Sequence, residues 1–159
     1  MVNTPPALRR GTGTPSRELQ FVSFALGQYD YGVNVADVYG IYHGLPLIPN
    51  PDMPSNLDGE VQLADRRIPV VNLRRFAGLE DHPSSAQARW ILMVHDGDNP
   101  IGLIVDKVTE VVKLTPQNVK LNPEADAGPV RDYVTAVADL SGHSLFVPDL
   151  NRLLHDATN

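Results

Sequence analysis

Five histidines, His43, His82, His95, His143 and His155, are the side chains best suited to bind a metal or move a proton near neutral pH. None has a second histidine at ligand spacing, and four fall among turn and loop residues, so no metal site is expected. Asp96-Gly97-Asp98-Asn99 begins like a calcium loop, but no bidentate glutamate stands where that loop would have to close. The stretch reads instead as a hairpin turn. Asp106 and Glu110 share one apolar segment and could act as paired carboxylates in acid–base chemistry. One exposed strand face explains them equally well and is the simpler reading. The chain has no cysteine, which removes thiolate nucleophiles, disulfides and Cys-based zinc or iron–sulfur sites. It has no G-x-S-x-G elbow, Walker A loop, G-x-G-x-x-G or H-E-x-x-H. No enzymatic constellation and no cofactor-binding motif is visible in these residues.

The elements that would position any site are built around Leu63 to Phe76. Ala64 to Arg67 is a polar turn, in which Asp65 favours a local side-chain bond to backbone. Ile68-Pro69-Val70-Val71 follows as an apolar strand, and its proline predicts an edge or a bulge. Asn72 then caps a short helix from Leu73 to Phe76. The same pattern returns roughly seventy-seven residues later, from Leu140 to Leu153. Ile68 matches Leu145, Val70 matches Val147, Asn72 matches Asp149 and Arg75 matches Arg152. A second pair keeps the same order: Tyr31-Gly32-Val33-Asn34-Val35 through Ile41 resembles Ile101-Gly102-Leu103-Ile104-Val105 through Val111. Two similar β-rich halves are therefore expected.

Other segments fit between these. Leu19 to Leu26 alternates as a half-buried strand, with a hairpin turn at Gly27-Gln28. Val35, Val38, Tyr39 and Ile41 are spaced closer to a helix than to a strand, so a short helix or a bent strand is expected there. His43 to Pro54 holds Pro46, Pro49, Pro51 and Pro54 and is an ordered loop pinned by Leu47, Ile48 and Met53. Ser55 to Gly59 reads as a turn, and Gly78 to Ala88 as the loop between halves. Trp90 to Val94 is a strand covered on both faces, and Leu150, Leu153 and Leu154 face a terminal helix inward. Short strands at regular spacing point to an all-β fold of two small barrels packed side by side.

At 159 residues the chain is about one domain. Its formal charge of −6 argues against nucleic acid as partner. No apolar run reaches the roughly 20 residues of a membrane span. Residues 1–16 carry no apolar signal core and read as a flexible tail, which predicts a cytoplasmic protein.

The ordered motifs resemble the CheW-like domain family of bacterial chemotaxis. They are Tyr31-Gly32-Val33-Asn34-Val35, Val38-Tyr39-Gly40-Ile41, Gly59 to Asp65, Ile68-Pro69-Val70-Val71-Asn72-Leu73-Arg74 and Gly102-Leu103-Ile104-Val105-Asp106-Lys107-Val108. The resemblance covers about Leu19 to Leu154. It implies two five-stranded SH3-like barrels with short helices in a domain over 17–159. The first barrel is expected over about 27–80. The second is expected over about 88–148 with the N-terminal strand, and the helix over 149–156. It also implies a non-enzymatic adaptor joining the cytoplasmic tip of a chemoreceptor to the regulatory domain of a CheA-type histidine kinase, at membrane-associated receptor arrays. Partner-binding positions carried over from the motifs are Val38, Gly40, Gly59, Ala64 and Asp65.

Several of those positions depart from the pattern. The family's glutamate is Gly40, its arginine is Ala64, the glycine after that is Asp65, and an aspartate is Asn72. Each charge-assisted bond lost is worth about 1.5–3 kcal/mol, so weakened or altered receptor contact is expected. Two other readings stand beside the adaptor. One is a CheW-like module that has lost receptor binding and serves another kinase, a motility system or a second-messenger pathway. The other is an unrelated double barrel with a small-molecule or catalytic pocket.

Overall fold

A computed structural model describes residues 19–54, 57–80, 89–121 and 126–158. The expected tail at 1–16 and most of the inter-half loop lie outside these residues. Eleven strands form two sheets, with two short helices. In order they are β1 (Leu19–Leu26), β2 (Tyr29–Asn34), β3 (Val38–His43), β4 (Leu57–Leu63), β5 (Arg66–Asn72), α1 (Leu73–Phe76), β6 (Trp90–Asp96), β7 (Asn99–Val105), β8 (Lys107–Leu114), β9 (Val119–Leu121), β10 (Val134–Leu140), β11 (His143–Pro148) and α2 (Leu150–Ala157). One sheet runs β8-β1-β2-β11-β10-β9 and the other β3-β6-β7-β5-β4. The all-β, two-unit architecture is as expected. One unit has six strands because the three-residue β9 adds to β10.

The strands do not divide by sequence half. β2 pairs with β1 and β11, while β6 and β7 pair with β3 and β5. The expected boundaries of 27–80 and 88–148 therefore do not delimit the sheets: each half lends one hairpin to the other sheet. After β2 the chain crosses to the five-stranded sheet through a 3-10 turn at Val35–Asp37, and after β7 it crosses back at Asp106.

The internal repeat holds to the level of register. Val38 faces Val94 and Gly40 faces Met93, leaving Tyr39 as a bulge; Val108 faces Phe24 and Glu110 faces Ser23, leaving Thr109 as the equivalent bulge. Asp58 and Thr135 are bulges at matching places in the β4–β5 and β10–β11 hairpins. β5 then pairs in parallel with β7 from Val70–Gly102, and β11 with β2 at Leu145–Asp30 and Phe146–Tyr31, just before Gly32. A Cβ on Gly32 would lie 2.8 Å from Leu145 Cδ2, and one on Gly102 2.9 Å from Ile91 Cγ2. Glycine lets a neighbouring side chain cross the backbone at both sites.

Local expectations hold in part. β5 is an inner strand, not an edge, but it does lie beside a bulge, since Asp58 of β4 bulges opposite Val70 and Val71. Its Pro69 faces Glu60, whose own N–H and C=O bond outward to Ile48 at 2.9 and 2.7 Å, so β4 asks nothing of the missing proline N–H. The parallel ladder to β7 opens only at Val70. Gly59 lies inside β4, not in a turn, because its φ of +129° absorbs the bulge after Asp58. Residues 35–41 hold both expected forms in succession, a 3-10 turn at Val35–Asp37 and a strand bent by its bulge.

Three apolar clusters hold the fold. The largest lies between the sheets and takes Val22, Phe24, Leu92, Val94, Leu103 and Leu154 from both. Each sheet also encloses its own cluster, one around Val61, Ile68, Ile91 and Met93 and one around Phe21, Leu114 and Leu145. The terminal strands β3 and β4 both pack on the first of these, through Tyr42 and Leu63, so that sheet curls toward closure.

Candidate functional site

The sequence-assigned partner positions fall in two groups on the five-stranded sheet. Val38 and Gly40 lie on β3, a terminal strand; Gly59, Ala64 and Asp65 lie on β4, the opposite terminal strand, and its turn. Three strands separate the groups in hydrogen-bond order. The loop after β3 links them, because Ile48 bridges Glu60.

Val38 is half-buried against the inter-sheet cluster. Gly40 lies beneath the ring of Tyr42: a Cβ there would come 2.7 Å from Tyr42 Cε2 and 2.9 Å from its hydroxyl. Any side chain at position 40, including the glutamate of the family pattern, requires Tyr42 to swing away. Gly59 is covered by backbone, with a Cβ falling 2.5 Å from the Ile48 carbonyl oxygen. Ala64 takes a left-handed φ of 53° to make the two-residue turn, a conformation that costs an alanine about 1–2 kcal/mol. Gln62 Nε2 donates to its carbonyl at 2.9 Å. Asp65 is exposed, as are Arg66 and Arg67, and Arg67 lies 3.8 Å from Glu60.

Behind this surface lie two polar clamps. Asn72 caps α1 by accepting from Arg75 N at 3.2 Å, and its Nδ2 donates to Asp58 Oδ2 at 3.1 Å. Arg75 pairs with the other Asp58 oxygen. An asparagine suits position 72 because it must accept and donate at once. Arg74 donates to Asp106 Oδ2 at 2.8 Å and to the Glu80 carbonyl at 2.6 Å. The same Asp106 oxygen accepts from Gly27 N at 2.7 Å. Asp106 thus joins a helix of one sheet to a turn of the other; at 13% exposed it does not share the exposed strand face expected for it with Glu110.

Sequence reading missed the exposed side chains of β3. Tyr39 and Ile41 are 47% and 42% exposed, and His43 is exposed beside them. Tyr39 meets His95 edge-on at 5.3 Å, and His43 stacks on Trp90 at 4.2 Å. The bulge at Tyr39 hid them: it leaves Tyr39 beside His95 while Ile41 and His43 lie opposite Leu92 and Trp90, on the other face of the sheet.

An open cleft of about 470 Å³ runs past Gly27, Tyr29, Leu79, Asp126 and Arg131. Its polar groups are committed to each other. The Tyr29 hydroxyl donates to Asp126 Oδ2 at 2.7 Å, and Gly128 N donates to Oδ1 at 3.0 Å. Those bonds hold the Asp126 carboxyl below its usual range, and the bond to Asp126 pushes the Tyr29 hydroxyl up. Together these bonds latch the loop at Asp126. Among the described residues no group of three or more His, Asp or Glu is placed to hold a metal ion, and no helix is long and apolar enough to cross a membrane.

The CheW-like domain family model matches residues 20–158. The chemotaxis protein CheW of Klebsiella aerogenes is 27% identical over 138 residues, covering 85% of this chain and 81% of that protein. Its counterpart in Treponema pallidum is 24% identical over 139 residues, covering 86% and 82%. The crystal structure of the scaffolding protein TtCheW from Thermoanaerobacter tengcongensis superposes with a TM-score of 0.74 at 24% identity, covering 86% of this chain and 92% of that one.

Proposed function

The chain belongs to the CheW-like domain family, and from that premise we propose that it couples the cytoplasmic tip of a chemoreceptor to the regulatory domain of a CheA-type histidine kinase. The coarser role, a non-enzymatic adaptor in chemotaxis signalling, follows from the family and its relatives. The observation that supports the finer reading is the exposed surface at the two terminal elements of one compact sheet, β3 and the turn after β4. Such a sheet offers rigid apolar surface without a substrate cavity, which suits docking and not turnover. Val38, Gly40, Gly59, Ala64 and Asp65 form the receptor-facing part of that surface.

A modified receptor contact is favoured over the standard one. Tyr42 occupies the space above Gly40, and Ala64 with Asp65 offers no cation where the family pattern has arginine. Arg66 and Arg67, one turn residue away, bring positive charge to the same end of the hairpin. Size-exclusion chromatography with a receptor-tip fragment and with the kinase regulatory domain tests the reading. Co-elution with both supports the adaptor. Co-elution with the kinase alone supports the module that has lost its receptor and serves a different pathway.

A further inference from the structure

We infer that Asp58 is a positioning residue for receptor binding: its carboxylate ties the bulge of β4 to the cap of α1 and so sets the backbone at Gly59 and the loop at Ile48. The inference rests on the adaptor reading, in which Gly59 belongs to the receptor-facing surface.

The second half of the chain shows what this unit looks like without the tie. A shift of roughly seventy-seven residues maps β4, β5 and α1 onto β10, β11 and α2, with Asp58 on Thr135, Gly59 on Ala136, Asn72 on Asp149 and Arg75 on Arg152. Both hairpins bulge at the mapped residue: Leu57 faces Val71 and Gly59 faces Val70, while Val134 faces Pro148 and Ala136 faces Val147. Both caps accept from the N–H three residues on, at 3.2 Å for Asn72 and 3.3 Å for Asp149. The carboxylate sits at the cap in the second half and on the bulge in the first. Thr135 donates to the Val147 carbonyl of its own hairpin at 3.4 Å, and Arg152 turns to the Asp132 carbonyl at 3.0 Å and to the Tyr133 ring. Asp58 instead crosses to the helix, accepting from Asn72 Nδ2 on one oxygen and from the Arg75 guanidinium on the other. Making the bulge and capping the helix therefore do not require an acid on the bulge. That acid also explains the amide at position 72, since a second carboxylate there would face a like charge at hydrogen-bond distance.

The halves differ in how the neighbouring edge is supported. Val137, the counterpart of Glu60, lies in a ladder to β9 made of Ala136–Leu121, Val137–Lys120 and Ala138–Val119. Among the described residues β4 has in that place the single bridge Ile48–Glu60, with Ile48 N donating to the Glu60 carbonyl at 2.7 Å and Glu60 N to the Ile48 carbonyl at 2.9 Å. Pro46, Pro49, Pro51 and Pro54 flank Ile48 and have no N–H with which to extend that bridge. The loop's place therefore depends on where the bulge sets Gly59 and Glu60. Gly59 passes Ile48 so closely that a Cβ would fall 2.5 Å from its carbonyl oxygen, so a bulge free to relax shifts both. A bulge re-aims the side chain it carries, and here it aims Asp58 at the start of α1. The half-buried carboxylate is held there by two bonds, one of them charge-assisted. Asp58 acts through the backbone it holds, without touching the partner itself.

The test uses the full chain with Asp58→Asn, Asn72→Asp, both changes together, and Thr135→Val at the matching bulge. Amide hydrogen exchange followed by NMR reads the bridge at Ile48 and Glu60. Calorimetric titration reads a receptor-tip helical hairpin and, separately, the kinase regulatory domain. Asp58→Asn and Asn72→Asp should each speed exchange at Ile48 and Glu60 by roughly tenfold relative to the amides of β10. Each should weaken the receptor hairpin by roughly tenfold while the regulatory domain binds as before. The double variant again pairs one carboxylate with one amide and should recover most of both losses. Thr135→Val should change neither. Parent-like receptor affinity in Asp58→Asn overturns the inference, and so does an equal loss of both partners or an equal loss in Thr135→Val. Exchange that rises alike at every amide marks a purely structural clamp and also overturns it. A parent protein that does not bind the hairpin overturns the receptor side of the adaptor reading and the inference with it.

Discussion

Removing the Asp106 carboxylate should loosen the join between the two sheets. Asp106 lies where the chain leaves the five-stranded sheet, and its Oδ2 accepts from Arg74 at 2.8 Å and from Gly27 N at 2.7 Å. The Arg74 and Asp106 side chains are only 16% and 13% exposed. Asp106→Ala deletes two bonds to a charged acceptor, each worth about 1.5–3 kcal/mol, and leaves the Arg74 charge half-sequestered. Partial exposure screens part of that, so the expected loss is about 3 kcal/mol. For a chain of this length that is a Tm drop of about 6–12 °C. Asp106→Asn keeps an acceptor without the charge and should cost about half as much. Urea unfolding of Asp106→Ala, Arg74→Ala and the double variant gives the coupling energy directly, expected at about 1–2 kcal/mol. A loss below about 0.5 kcal/mol for Asp106→Ala, or strict additivity in the cycle, refutes the claim that this pair ties the sheets together.

Other outcomes follow from single residues. Ala64→Gly should stabilise the protein by about 0.5–1 kcal/mol, since glycine takes the φ of 53° without strain; a lower Tm would contradict it. Asn72→Asp should cost about 1–3 kcal/mol, because it sets a second carboxylate against Asp58 and loses the donated bond. Adding Asp58→Asn should recover part of that loss in a denaturant melt. Burial pushes the Tyr31 hydroxyl up to about 12 from 10.0. Its neutral form is thus favoured in the folded state, and stability should be intact below pH 10 and fall by about 2–3 kcal/mol as pH rises toward 12. Tyr31→Phe should flatten that alkaline limb, and an unchanged limb would assign it to other groups.

Much of the fold was legible because local chemistry and tertiary structure agree. The turns at Gly27-Gln28, Gly97-Asp98 and Ser141-Gly142 sit where turn residues cluster, and Asn72 and Asp149 cap the helices that follow the repeated strands. The repeat itself survives as matched bulges and matched parallel pairings. The exchange of hairpins between sheets was not legible. Two similar halves present nearly the same strand to either partner, so self-pairing and exchange bury the same pattern. Bulges at Tyr39 and Asp58 were also hidden, because each flips the inward and outward faces beyond it. This is why the spacing over residues 35–41 left a short helix and a bent strand both open, and why Gly59 looked like a turn. At the candidate site the motif picked out Val38 and Gly40 but could not show that both lie on β3 or that Tyr42 covers one of them.

The central claim is that one rigid, non-catalytic chain holds two signalling proteins at once. Sedimentation velocity on an equimolar mixture of this protein, a receptor-tip fragment and a kinase regulatory domain measures that directly. A single boundary heavier than any binary mixture is the expected result. Binary complexes that compete with each other, or components that sediment independently, would contradict it.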